Sequence, residues 1–176
     1  MIFSETTIRG AFVIDPERFE DERGFFARTY CEREFEAHGL ATRMVQCSVS
    51  HNEMAGTLRG LHYSVPPHAE DKLVRCARGR IYDVILDLRP DSPSYRRWIG
   101  VELSAENQRM LYVPAVVAHG FQTLEPDTDV FYQMSEFYDP ACARGVRWND
   151  PAFGIAWPLP TRTMSERDRE LANFRS

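Results

Sequence analysis

The 176-residue sequence contains no apolar run approaching the roughly 18 consecutive residues that a membrane-spanning helix needs. Its opening, MIFSETTIRG, has neither the basic stretch nor the apolar core of a secretory signal. The four cysteines (Cys31, Cys47, Cys76, Cys142) make no CxxC pair and no zinc-type spacing, so they read as free thiols of a reducing cytoplasm. A net charge of −5 offers no bulk field to recruit nucleic acid, and any residues that bind an anion must be concentrated locally. The glycine-rich fingerprints of dinucleotide and nucleoside-triphosphate sites are missing, which makes hydride and phosphoryl transfer poor expectations. No GxSxG elbow occurs, and no cysteine stands beside an obvious histidine partner. Repeats, low-complexity tracts and linker-like shifts of composition are absent too, so residues 1–176 read as one domain. What remains is a cytoplasmic protein acting on something small, with neither a membrane nor nucleic acid as partner.

Most of the chain reads as short strands rich in β-branched and aromatic residues, separated by turn signals. The candidates are 11–15, 24–30, 42–51, 57–64, 72–78, 80–88, 96–103, 108–113, 117–124, 128–137 and 145–148. The clearest is KLVRCARGRIYDVILDL (72–88), a hairpin turning at Arg78-Gly79-Arg80 with glycine in the left-handed conformation. In its second arm the period-two rule puts Tyr82, Val84, Leu86 and Leu88 on one face. Helices are expected only at 31–38, stopped by Gly39, and near 165–173, where Ser165 is a suitable N-cap. An all-β sandwich or barrel follows, and periodicity does not choose between them.

Three polar clusters interrupt the strand-like segments. They are Arg59-Gly60-Leu61-His62-Tyr63 with Lys72 beyond, Val117-Ala118-His119-Gly120-Phe121, and Phe131-Tyr132-Gln133. Taken singly, each holds ordinary strand residues. Together, histidine, lysine and tyrosine supply what is needed to move a proton on and off carbon beside a carbonyl: a base, a cation for the enolate oxygen, and an acid. Strict alternation along 57–64 sets Arg59 and His62 on opposite faces, so both reach one site only if the strand bulges, and Gly60 is the natural place. A metal site is the competing chemistry, drawn from His38, His51, His62, His68, His119 and Glu70, but no HxH pair is present.

The runs DERGFFARTY (21–30), TLRGLHYSVPPHAEDKLVRCARGRIYDVILDLRPDSPSY (57–95), LSAENQRMLYVPAVVAHGFQTLE (103–125), VFYQMSEFYDP (130–140), VRWNDP (146–151) and SERD (165–168) closely resemble the dTDP-4-dehydrorhamnose 3,5-epimerases, in order and with spacings kept. The resemblance implies a cupin-type jelly-roll β-barrel with a few short helices, a homodimer that exchanges N-terminal strands, and no metal or other cofactor. It implies a nucleotide-diphosphate-linked 4-keto-6-deoxy sugar as substrate. By position, His62 matches the family's base, Tyr132 its acid, Lys72 the cation at the enolate oxygen, and Asp168 the carboxylate that pairs with the base. Arg23 and Arg59 match residues that meet the diphosphate, and Phe26, Gln46 and His119 match others that line the site.

The sequence departs from the family's pattern at four binding-associated positions. Arg28 stands where a glutamate is usual, Ser48 replaces an asparagine, Ala143 replaces a glutamate, and Arg167 replaces a lysine. Either these positions drift, or Arg28, Ser48 and Arg167 read a different nucleotide; the glutamate-to-arginine change swaps an acceptor for five donors. The dTDP sugar is the first expectation, a CDP- or GDP-linked 4-keto sugar the alternative, and a metal-dependent cupin enzyme the more distant one.

Overall fold

The computed structural model describes residues 1–174. Its elements are β1 (Ile2–Glu5), β2 (Phe12–Asp15), β3 (Arg18–Asp21), β4 (Gly24–Ala27), α1 (Glu32–Ala37), β5 (Gln46–Asn52), β6 (Leu58–Ser64), β7 (Lys72–Arg78), β8 (Arg80–Asp87), β9 (Trp98–Ser104), β10 (Met110–Val113), β11 (Val117–Thr123), β12 (Thr128–Met134), β13 (Ala143–Gly145) and α2 (Glu166–Arg169). One sheet runs β1-β2-β10-β7-β12-β5, a second β13-β6-β11-β8-β9, and β3 with β4 forms a separate hairpin. The inner sets β5-β12-β7-β10 and β6-β11-β8-β9 alternate between sheets in the double Greek-key order of a jelly roll. The all-β, cupin-type expectation is met.

Alternation builds three apolar layers from two sheets. Between the sheets pack Val74 and Cys76 of β7, Ile81 and Ile85 of β8, Leu111, Phe121 and Val130. Burial there pushes the Cys76 thiol up to about 11, against two backbone hydrogen bonds, so it acts as a packing residue. The outer face of the first sheet, including Ile14, Leu73 and Met110, is covered by Phe35 of α1. The Tyr82-Val84-Leu86-Leu88 face expected from β8 turns outward and is covered by Phe153, Ile155, Trp157 and Phe174 of the C-terminal segment. Trp98 Nε1 donates to Phe153 O at 2.9 Å and Trp157 Nε1 to Trp148 O at 3.0 Å, which fastens this wrap. Each fully buried Leu, Ile or Phe contributes about 1.5–3 kcal/mol, so the wrap is held chiefly by its apolar face.

The hairpin at Gly79 forms as expected, with φ of +75°. Several expected strands are shorter in the structure, as at 24–30, where pairing stops at Ala27, and 145–148, where the strand instead spans Ala143–Gly145. The last turn or two of helix expected near 165–173 forms as a single turn, and Ser165 caps it as expected, its side chain accepting from Asp168 N at 3.1 Å. β1 and β3 were not expected. Both are mostly exposed and carry charge, so no buried face marks them in the sequence.

Candidate active site

The site begins at a fault in β6. His62 lies opposite His119 and Arg59 opposite Phe121, so Gly60 and Leu61 together face the single residue Gly120. This bulge is what lets Arg59 and His62 share the inner face. Glycine is required on both sides of it. Gly60 has φ of +120°, and a Cβ there would lie 2.6 Å from Gly120 Cα; a Cβ on Gly120 would lie 2.6 Å from Arg59 O.

Into the resulting cleft, of about 370 Å³, point His62, Arg59, His119, Lys72, Tyr132, Ser48, Ser50, Arg167 and Asp168. Base and acid candidates come from opposite walls: His62 from β6 of one sheet, Tyr132 from β12 of the other. His62 Nε2 and Asp168 Oδ1 are 2.6 Å apart, and the Gly60 N–H donates to Asp168 Oδ2 at 3.3 Å. Burial alone would raise the Asp168 carboxyl, but His62, the Gly60 amide and Ser165 together hold it below the usual carboxylate range. An ionised Asp168 accepts the Nε2 proton, which leaves the lone pair of the neutral ring on Nδ1.

Tyr132 is driven the other way. Burial first, then the charge of Asp83, raises its phenol far above the ordinary value, against Arg59 and Ser50, so the proton stays on. Its ring meets His119 edge-on, with centroids 6.1 Å apart. Lys72 Nζ is held by Glu70 Oε1 at 2.8 Å, with both side chains largely buried. Arg59 Nε donates to Asn52 Oδ1 at 2.8 Å, which fixes the guanidinium at the rim.

A second histidine–carboxylate pair lies beneath the cleft. His119 Nε2 and Asp83 Oδ1 are 2.7 Å apart, both buried, and Asp83 Oδ2 has no hydrogen-bond partner among the described residues. Burial raises the Asp83 carboxyl, while His119 and Lys72 oppose the rise. Asp83, and the pairing of Glu70 with the expected Lys72, were not read from the sequence. The available signal for Asp83 was a lone carboxylate inside the apolar strand IYDVIL (81–86). Among the described residues, no three His, Cys, Asp or Glu side chains are grouped to hold a metal ion.

Four expected site residues do not line the cleft. Arg23 is exposed on the β3–β4 hairpin and pairs with Asp21 at 2.5 Å. Phe26 projects from β4, 70% exposed, and Arg28 lies 3.6 Å from Glu34. Gln46 Oε1 accepts from Tyr138 N at 2.6 Å, tying the chain after β12 to the start of β5. Among the described residues the hairpin pairs with no other strand, and its side chains fall outside the cleft.

Residues 5–176 match the family model described as dTDP-4-dehydrorhamnose 3,5-epimerase. A dTDP-4-dehydrorhamnose 3,5-epimerase of Sinorhizobium fredii is 42% identical over 169 residues, covering 96% of this chain and 87% of its own. A crystal structure of such an epimerase from Bacillus anthracis, with TDP and PPi bound, superposes with a TM-score of 0.95 at 43% identity, covering 98% of this chain and 99% of that one. A Legionella pneumophila enzyme, dTDP-6-deoxy-D-glucose-3,5-epimerase in complex with dTDP-4-keto-L-rhamnose, superposes at 0.91 with 34% identity, covering 98% of this chain and 92% of that one.

Proposed function

From the premise that the chain belongs to the dTDP-4-dehydrorhamnose 3,5-epimerase family, we propose that it is an isomerase inverting C3 and C5 of a dTDP-linked 4-keto-6-deoxy sugar by proton transfer across its cleft. One observation carries the mechanism. A base primed by a carboxylate and a phenol kept protonated stand on opposite walls of one cleft.

The C4 ketone acidifies the protons on C3 and C5. His62 Nδ1 removes one of them, and the electron pair moves into the ring to leave an enolate on the C4 oxygen. Lys72 meets that oxygen, its ammonium offsetting the developing charge in a partly dry site. Tyr132 then gives its phenolic proton to the carbon from the opposite face, which inverts it. The balance is a proton gained by His62 and one lost by Tyr132, restored through solvent before the second carbon reacts. Arg59 and Arg167 suit the diphosphate, since guanidinium forks match phosphate oxygens.

A homodimer completes this reading. Phe19 and Phe26 are 68% and 70% exposed on a hairpin with no partner strand among the described residues. Docked on a second copy, that hairpin would bury both rings and carry Arg23, Phe26 and Arg28 to the neighbouring cleft. No helix of the described residues is long and apolar enough to cross a membrane. A nucleotide-linked substrate and four free thiols fit the cytoplasm.

The test is proton exchange in deuterated buffer, followed by NMR on 4-keto-6-deoxyglucose carried separately by dTDP, CDP and GDP. Signals from C3 and C5 should vanish fastest with dTDP. His62→Asn should abolish exchange with the fold intact, and Tyr132→Phe should lose epimerised product while retaining exchange. No exchange above an enzyme-free control, or full exchange by His62→Asn, would overturn the mechanism.

A further inference from the structure

α2 borders a second concavity, of about 520 Å³, that shares no lining residue with the catalytic cleft. Three arginines reach it from three segments: Arg147 just after β13, Arg162 from the strap leading to α2, and Arg169 from α2 itself. Among the described residues, no carboxylate lines it. Among the described residues, the arginine ion pairs involve Arg23, Arg28, Arg80, Arg89 and Arg109, and none of these three. Arg147 Nε donates to Asn149 Oδ1 at 2.9 Å, which fixes its stem. Trp148 and the buried Met164 supply an apolar wall beside the three cations.

Gathering three like charges around one concavity with no counter-ion among the described residues is unfavourable, and in a chain of net charge −5 there is no general excess of cations to account for it. We propose that this concavity is a binding site for a diphosphate group, separate from the catalytic cleft. Three guanidinium forks offer more donors than one carboxylate can accept, whereas the oxygens of a diphosphate can take bidentate contacts from several forks at once. The site adjoins the chemistry without belonging to it, because the helix that turns Arg169 into this concavity places Asp168 under His62. The inference does not rest on the epimerase reading.

Inorganic pyrophosphate is the probe, titrated by calorimetry and by tryptophan emission. Wild-type protein and Arg59→Ala, which alters the catalytic cleft and leaves the lining of this concavity intact, should both bind it with a change in emission. Trp148→Phe should lose the emission change. Arg162→Ala/Arg169→Ala should weaken this binding about tenfold or more with an unchanged circular dichroism spectrum. If that variant fails to fold, Arg162→Lys/Arg169→Lys, which keeps charge but loses the forks, should weaken it by a smaller factor. Binding abolished by Arg59→Ala alone and indifferent to Arg162 and Arg169, or an emission change that survives Trp148→Phe, would overturn the proposal. Neither result touches the epimerase reading, which is read separately by proton exchange.

Discussion

Asp168 touches His62 through 2.6 Å and contributes both a tautomer and a charge, so replacing it with asparagine separates the two. Asp168→Asn keeps the size of the side chain but lets an amide N–H face the ring, favouring the tautomer with its lone pair turned from the substrate. Turnover should fall about 10²–10⁴-fold while nucleotide-sugar affinity is largely kept, as steady-state kinetics beside direct binding would show. Stability should carry a pH signature as well. The folded Asp168 carboxyl ionises more readily than the unfolded one, near pH 3.9, so its contribution is complete above that value and is lost as pH falls through the lower folded value. Denaturation of wild type and Asp168→Asn should therefore converge as pH drops below about 4. His62, Lys72 and Tyr132, which the structure brings to one cleft, were legible in the sequence because their chemistry is incongruous in a strand. Asp83 was not assigned, although it is equally incongruous, because its role depends on a cross-strand neighbour, His119 on β11, that no local spacing announces.

At the scale of elements, β6 owes its function to a fault. A continuous β6 would turn Arg59 to the opposite face from His62, and the bulge at Gly60 restores both to the cleft. Gly60→Ala would set a methyl 2.6 Å from Gly120 Cα at a backbone conformation that side chains rarely adopt. A loss of about 3 kcal/mol or more is expected in chemical denaturation, with activity falling further than the folded fraction because His62 is displaced. The requirement for this bulge could be read from alternation alone, as could the hairpin at Gly79, because both follow from period two and glycine's freedom. Strand ends were less legible. The runs at 24–30 and 42–51 look uniformly strand-like, yet pairing occupies only Gly24–Ala27 and Gln46–Asn52, since partners rather than propensity decide where a ladder stops.

For the whole molecule, the exposed β3–β4 hairpin leaves Arg23, Phe26 and Arg28 away from the cleft of their own protomer. If they act in a second copy, His62→Asn and Arg23→Ala damage different halves of each site. Mixing the two impaired variants under subunit exchange should then recover activity well above their sum, and sedimentation should report a dimer; no recovery in a mixed dimer would place the hairpin outside the reaction. Layer order was equally hidden from sequence, because the apolar stripe of β8 reads the same whether it faces the other sheet or the C-terminal wrap. That wrap also sets a clock. Asp168 follows His62 by 106 residues, so a chain still emerging from the ribosome can close its barrel strands before it owns a working base. On the proposed mechanism, a fragment that stops ahead of α2 carries the strands of the cleft without Asp168, and proton transfer waits until α2 folds back beneath the imidazole.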